Sequence, residues 1–254
     1  MENTDNNQLN YLLHLADTSM ILGQRLSEWC GKGPVLEQDI ALSNIALDLL
    51  GEASHYYELA ASLQGEGKTE DDLAFLRNER DFKNLLITER PNGHFGDTIA
   101  RQFYFDIYHV LLLNELKKSS NSEIAAIAEK SLKEATYHAK WSSEWVIRLG
   151  DGTEESHDKI QKSILDFVDY TDEMFIPNAW EKALIASGEM PDITLLKDKW
   201  TTRVNQVLEE AMLTVDFSKS RKLIGGKDGK HTEALGYILA EMQYMQRTYP
   251  NMEW

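Results

Sequence analysis

The segment from Leu36 to Gln64 constrains the fold of this chain more than any other stretch. It is long, has the composition of a helix and contains no proline, so it predicts one uninterrupted helix. Glu52 and His55 lie three residues apart near its middle and share one face of the helix, as does Asp48. The same face carries apolar residues, namely Ala41, Ile45 and Leu59. We therefore expect it to point into a hydrophobic core.

Proline and most of the glycines fall between stretches with helical periodicity. Four long stretches without proline predict helices at 7–29, 36–64, 97–118 and 123–149. Short connections within the first and second pair make the helices of each pair antiparallel neighbours. Two such pairs joined by a longer crossover predict an all-α fold, a ferritin-like antiparallel four-helix bundle.

The last hundred or so residues add helices to this bundle. Helical periodicity recurs at about 156–175, 177–186, 192–213 and 231–247, and a loop rich in glycine and lysine occupies 222–230. A short helix is also predicted from about residue 70 to 77, with Thr69 as its N-cap. We expect a single domain over 1–254, with a core bundle over about 7–149 and a C-terminal helical extension over about 156–254.

The charge of the chain limits its partners. Its 42 acidic residues outnumber 26 Lys and Arg, which gives a formal net charge of −16. Such a surface argues against binding nucleic acid or anionic membranes and fits a basic docking partner. The lone Cys30 excludes an internal disulfide. The polar, acidic N-terminus is unlike a signal peptide and no stretch reaches the length of a membrane span, so we expect a cytoplasmic protein.

Four side chains match part of a di-iron site. Ferritin-like di-iron proteins use a Glu-x-x-His motif from each of two helices and a further glutamate from each of the other two. Glu52 and His55 form one such motif, Asp106 adds a carboxylate beside the apolar face of the third helix, and His138 lies in the fourth. Ala135 occupies the position three residues before His138, where a glutamate is needed. A methyl group cannot bind iron.

The first predicted helix does not complete this set. Its available polar groups are His14, Asp17 and Gln24, and no glutamate stands where a ligand is wanted. Two interpretations stay open: a buried polar cluster without metal, or a ferritin-like metal-binding protein or oxidoreductase with an incomplete but occupied site. The missing ligands favour the first, so we expect no metal and no catalytic residue. We expect four other histidines in loops or on the surface, namely His14, His94, His157 and His231.

Several motifs spread along the chain make a family recognisable. The sequence resembles the C subunits of bacterial phenylacetyl-CoA epoxidases, the ring-epoxidising monooxygenases of phenylacetate breakdown. The resemblance covers nearly the whole chain. It is carried by QRLSEWCG at 24–31, DIALSNI at 39–45, DLLG at 48–51, PNG at 91–93, DTIARQ at 97–102, KEATYH at 133–138, GKHTE at 229–233 and LAEMQ at 239–243.

This resemblance implies a ferritin-like structural subunit that pairs with a related catalytic A subunit and with the other subunits of the complex. It also implies that the A subunit holds the di-iron centre and the CoA thioester, and that this chain has no cofactor. Glu52, His55, Asp106 and His138 would then be remnants of a di-iron site. The chain keeps both Glu52 and His55, which departs from the family's usual pattern for this subunit and leaves metal binding open. We expect an apolar surface for the heterodimer, which could join two copies as a homodimer when the partner is absent.

Overall fold

The computed structural model describes residues 2–250 and 252. These residues form helices, turns and loops, and no β-strand occurs among them, which confirms the all-α class. The α-helices are α1 (Glu2–Ser27), α2 (Leu36–Gln64), α3 (Glu70–Phe75), α4 (Leu86–Glu89), α5 (Phe95–Leu116), α6 (Ser122–Gly150), α7 (Glu154–Phe167), α8 (Ala179–Ser187), α9 (Lys197–Glu210), α10 (Glu233–Met242) and α11 (Tyr244–Thr248). Short 3₁₀ turns lie at Glu79–Asp81, Val168–Tyr170, Asp172–Phe175, Ile193–Leu196, Phe217–Lys219 and Gly226–Asp228.

The chain folds as two compact units. Unit 1 contains the chain up to Pro91, the segment Asn178–Leu184 and the chain from Gly225 onward. Unit 2 contains Asn92–Pro177 and Ile185–Ile224. Each unit includes one pair of the predicted long helices together with part of the C-terminal third of the chain. The prediction of one domain with a separate core and extension stays a prediction.

An antiparallel pair of helices, α1 and α2, organises unit 1. The Tyr57 hydroxyl donates to Asp17 at 2.5 Å, and nearer the connection the backbone of Gly23 lies close to the Leu50 side chain. The contact residue on α1 changes from Asp17 to Gly23 while its partner on α2 changes from Tyr57 to Leu50. The residue numbers therefore run in opposite directions, so the two helices are antiparallel. A second contribution to this core comes from α10, whose apolar face packs on α1 and the residue after the first 3₁₀ turn. That cluster consists of Ile21, Phe82, Leu235, Ile238 and Leu239.

The second antiparallel pair, α5 and α6, organises unit 2. The rings of Phe95 and Trp145 meet edge to face at 5.1 Å, and further along the pair Asp106 lies within electrostatic range of His138. Trp200 of α9 is fully buried against α5 and donates its indole N–H to the Tyr104 carbonyl at 2.9 Å. Aromatic packing therefore fixes α9 on this pair.

The ends of the long helices follow the local capping chemistry. α2 begins and ends at the predicted residues. α5 begins two residues earlier than predicted, because Asp97 is the third residue of a capping box and not its cap. The His94 ring accepts from the Asp97 N–H, and the Asp97 carboxylate accepts from the His94 N–H. The Thr69 hydroxyl caps α3 as predicted, accepting from the Asp72 N–H.

The predicted helix at 156–175 is wrong beyond Phe167. α7 ends there and two 3₁₀ turns follow. The reason is tertiary: the Asp169 carbonyl accepts from the Leu223 N–H at 2.8 Å, and its carboxylate accepts from the backbone and side chain of Arg221. Donors from a distant segment thus replace the helical hydrogen bonds. The predicted helix at 231–247 is likewise interrupted, at Gln243, between α10 and α11.

Candidate functional site

Glu52 lies inside unit 1, on the face of α2 that packs against α1. Its side chain is buried, and the Ser19 hydroxyl of α1 donates to its Oε1 at 3.2 Å. The neighbouring Tyr56 is fully buried. Burial, followed by the charge of Glu52, raises the pKa of Tyr56 well above its usual value, so the phenol stays neutral. The expected inward orientation of Glu52 is therefore confirmed.

His55 occupies the edge of the same face. Its side chain is 38% exposed, and its Nδ1 lies 3.6 Å from the carboxylate of the exposed Glu58. Three residues rotate a helix by about 300°, so His55 is displaced about 60° from Glu52 around the axis. That displacement carries it toward solvent. The expectation that both members of the Glu-x-x-His motif point inward is wrong for His55.

Asp106 and His138 lie inside unit 2, on facing sides of α5 and α6, and both side chains are buried. The Gln102 amide donates to Asp106 Oδ1 at 3.4 Å, and the Ser142 hydroxyl donates to the His138 carbonyl at 3.0 Å. The structure brings these two predicted residues together. The convergence of Asp106 and His138 with Glu52 and His55 stays a prediction.

The electrostatics around Asp106 are unusual for a carboxylate. Burial raises its pKa from 3.8 to about 6. His138, the Ser142 hydroxyl, His109 and Arg101 act in the opposite direction and favour the charged form, in that order of size. The carboxylate therefore ionises close to neutral pH in a buried environment.

The donor set does not fit a ferritin-like di-iron centre. Ala135 is buried on the inner side of α6 and supplies no ligand atom. From α1, the Ser19 hydroxyl donates a hydrogen bond to Glu52 and supplies no carboxylate. Among the described residues, no group of three His, Cys, Asp or Glu side chains is arranged to hold a metal ion. No reaction step through bound iron follows from these residues.

The first-helix candidate Asp17 serves a different network. It is fully buried, and its carboxylate pairs with the Arg77 guanidinium, which lies over the Phe82 ring at 4.3 Å. It also accepts hydrogen bonds from the Tyr57 hydroxyl at 2.5 Å and from the Lys83 N–H at 2.8 Å. These partners occupy the ligand atoms of Asp17, so it is structural. Gln24, the other candidate beside His14, has its amide 3.8 Å from the Met20 sulfur.

A buried ion pair in unit 1 was not predicted from the sequence. Lys227 lies in the glycine- and lysine-rich loop, yet its side chain is buried and its Nζ is 3.0 Å from both carboxylate oxygens of Glu181. The backbone of Gly226 lies so close to the Asn84 carbonyl that a Cβ would sit 2.1 Å from it. Only glycine permits this approach, which places Lys227 inside. A lysine in a predicted loop gives no sequence signal of burial.

Of the histidines expected in loops or on the surface, His14 is instead buried in α1, whereas His231 lies in a loop as expected but with a buried side chain. His14 Nδ1 lies 2.7 Å from the Lys83 carbonyl. Burial, followed by the charge of Lys227, lowers the pKa of His14 to about 4, so the ring is neutral at pH 7. The His231 side chain is also buried, with Nδ1 3.5 Å from Glu89. The expectation is confirmed for His94, whose side chain is 43% exposed.

Among the described residues, no helix combines the length and the apolar character that crossing a membrane requires.

Comparison with known proteins finds similarity along the whole chain. All 254 residues match the model of a family described as phenylacetic acid catabolic protein. The chain is also 47% identical over 249 residues to the C subunit of 1,2-phenylacetyl-CoA epoxidase from Escherichia coli (strain K12). The match covers 98% of this chain and 100% of the Escherichia coli protein. The similarity therefore includes both units.

Proposed function

Because the chain belongs to the phenylacetic acid catabolic protein family, we propose that it is a non-catalytic structural subunit of a multicomponent monooxygenase. In this proposal the complex epoxidises phenylacetyl-CoA in aerobic phenylacetate catabolism, in the cytoplasm. The end-to-end similarity to the C subunit of the Escherichia coli epoxidase carries the proposal. A match that covers all of that relative supports the same position in a complex.

The donor set supports the non-catalytic part of the proposal. Oxygen activation at a di-iron centre requires several oxygen and nitrogen ligands, and here Ala135 supplies a methyl group where the Glu-x-x-His motif would place a carboxylate. We propose that a related A subunit holds the di-iron centre and the CoA thioester. The centre would supply oxygen activation, and this chain would support the protein that carries it.

The polar network of unit 1 supports a scaffolding role. Asp17, Arg77 and Tyr57 tie α1 to α2 and to the segment after α3 through charge-assisted hydrogen bonds. Glu181 and Lys227 tie α8 to the loop before α10. Such satisfied pairs hold one arrangement of helices, because breaking either would leave a charge buried without its partner. The chain thereby presents a fixed surface without needing a metal to order it.

Reconstitution of the complex tests this function. The cognate A subunit is assayed for phenylacetyl-CoA epoxidation with the remaining components, with and without this chain. We expect turnover to require the chain and to survive Glu52→Gln and His138→Gln within about twofold, because neither residue would take part in the chemistry. Loss of turnover by about a hundredfold or more in these variants, with the complex intact, would place catalysis in this chain.

A further inference from the structure

The outer face of α2 carries large apolar side chains that the chain leaves in solvent. Leu36, Ile40 and Leu47 are 72%, 51% and 66% exposed. Successive residues of a helix are about 100° apart, so these three lie within an arc of about 40°. Gly51 extends the arc to about 60°, and the stripe from Leu36 to Gly51 is about 22 Å long. We call these four residues the α2 outer stripe.

Gly51 is unexplained by the packing of the chain itself. It lies in the middle of a long helix, where glycine is less favourable than alanine. A Cβ added there would meet no atom of the described chain within 4 Å. Nothing inside the described chain therefore requires a glycine at this position. A residue without a side chain on an apolar stripe instead permits the backbone of another helix to approach closely.

The charges around the stripe identify the chemistry of its partner. α2 contains no lysine or arginine, whereas Glu37 and Glu58 on its surface are acidic. Asp39 accepts from the N–H groups of Gly31 and Gly33, and these bonds lower its pKa, so it also stays charged. If a second copy of the chain docked through the same face, these acidic side chains would repel those of the other copy. A complementary surface is apolar at its centre and basic at its edges.

We propose that the α2 outer stripe is the docking surface for a helix of the A subunit, with Gly51 at the point of closest backbone approach. This inference rests on the proposed function, because it takes the A subunit as the partner. The helix that docks there has an apolar stripe flanked by lysine or arginine. Burial of the three apolar side chains supplies the affinity. Repulsion between the acidic residues of two copies, namely Glu37, Asp39 and Glu58, favours the heterodimer over the homodimer.

Binding of purified A subunit to variants of the full chain tests the inference. Leu47→Glu places a charge in the centre of the stripe, and Gly51→Leu fills the space of closest approach. Leu195→Glu is the matched control, because Leu195 is 69% exposed and lies in a 3₁₀ turn of unit 2. Thermal melts establish that each variant folds. All three positions are exposed, so we expect folding to be retained.

We expect the dissociation constant to rise about 30-fold or more for Leu47→Glu and about tenfold for Gly51→Leu, and to change less than about twofold for Leu195→Glu. Equal affinity of all variants and wild type would overturn this inference and leave the proposed function intact. Wild-type chain that fails to bind the A subunit would overturn both. A homodimer of the isolated chain that Leu47→Glu dissociates would show that a second copy occupies the stripe, against the inference.

Discussion

Replacing Asp106 by asparagine should stabilise the isolated, metal-free protein at neutral pH. Asp106 is buried, and burial raises its pKa from 3.8 to about 6. The folded state therefore holds the proton of this carboxyl more tightly than the unfolded state does. Above pH 6 the group is ionised in both states, and folding bears the full penalty of burying the charge. Asparagine has the same shape and no charge, so the penalty is removed.

The magnitude follows from the two pKa values. Each pKa unit corresponds to about 1.4 kcal/mol, so a rise from 3.8 to about 6 makes the ionised carboxylate destabilising by about 3 kcal/mol. The asparagine oxygen keeps the bond that Gln102 donates to Asp106 Oδ1. Its new amide group needs an acceptor, so about 3 kcal/mol is an upper bound and about 1–3 kcal/mol is expected. The gain should shrink as pH falls below 6 and vanish well below pH 3.8, where the carboxyl is protonated in both states.

Urea unfolding of both proteins between about pH 3 and pH 8 measures this difference. The matched control is Asp17→Asn. Asp17 is also fully buried but is paired with Arg77 and Tyr57, so its replacement should destabilise the fold by about 3 kcal/mol at neutral pH. A destabilising Asp106→Asn, or a difference that does not change with pH, would show that the buried carboxylate does not destabilise the folded state. Equal effects at the two aspartates would show the same.

Two further predictions concern the other buried charges of unit 1. Lys227→Met should destabilise the protein by about 3–5 kcal/mol, because Glu181 loses its partner, and should raise the pKa of His14 in an NMR titration, because Lys227 is a charge that lowers it. An unchanged His14 titration would contradict this arrangement. Burial lowers the pKa of His231, but the bond and charge of Glu89 outweigh burial and raise it above 6.5. The protonated ring therefore stabilises the fold below pH 6.5, and this stability is lost as pH rises through the folded pKa. His231→Gln should consequently lower the free energy of unfolding more at pH 6 than at pH 9, and equal losses at both values would contradict the pairing.

The sequence predicted those features whose causes are local. α2 ends where expected because the segment is continuous and the next residue is Gly65, which adopts a positive φ. The inward positions of Glu52, Asp106 and His138 follow from helical spacing within apolar stretches. The same spacing places Ala135 three residues before His138, and that it replaces a ligand stays a prediction. These inferences need only the period of the helix.

Features set by distant residues could not be predicted in this way. The early end of α7 depends on Arg221 and Leu223 binding Asp169. The burial of Lys227 depends on Glu181, and a loop lysine is exposed in most proteins. His55 was misplaced for a subtler reason. Two residues three apart point about 60° away from each other around the helix axis. That angle is enough for one side chain to be buried and the other to lie at the edge of the buried face.

The iron content of the isolated chain tests whether this chain is a structural subunit without a metal centre of its own. The chain is expressed aerobically with added iron, purified away from the A subunit and analysed for metal per polypeptide, together with Glu52→Ala and His138→Ala. We expect far less than the two irons of a complete site, with no change in either variant. Two irons per chain, lost in both variants, would contradict this expectation and make this chain a metalloprotein in its own right.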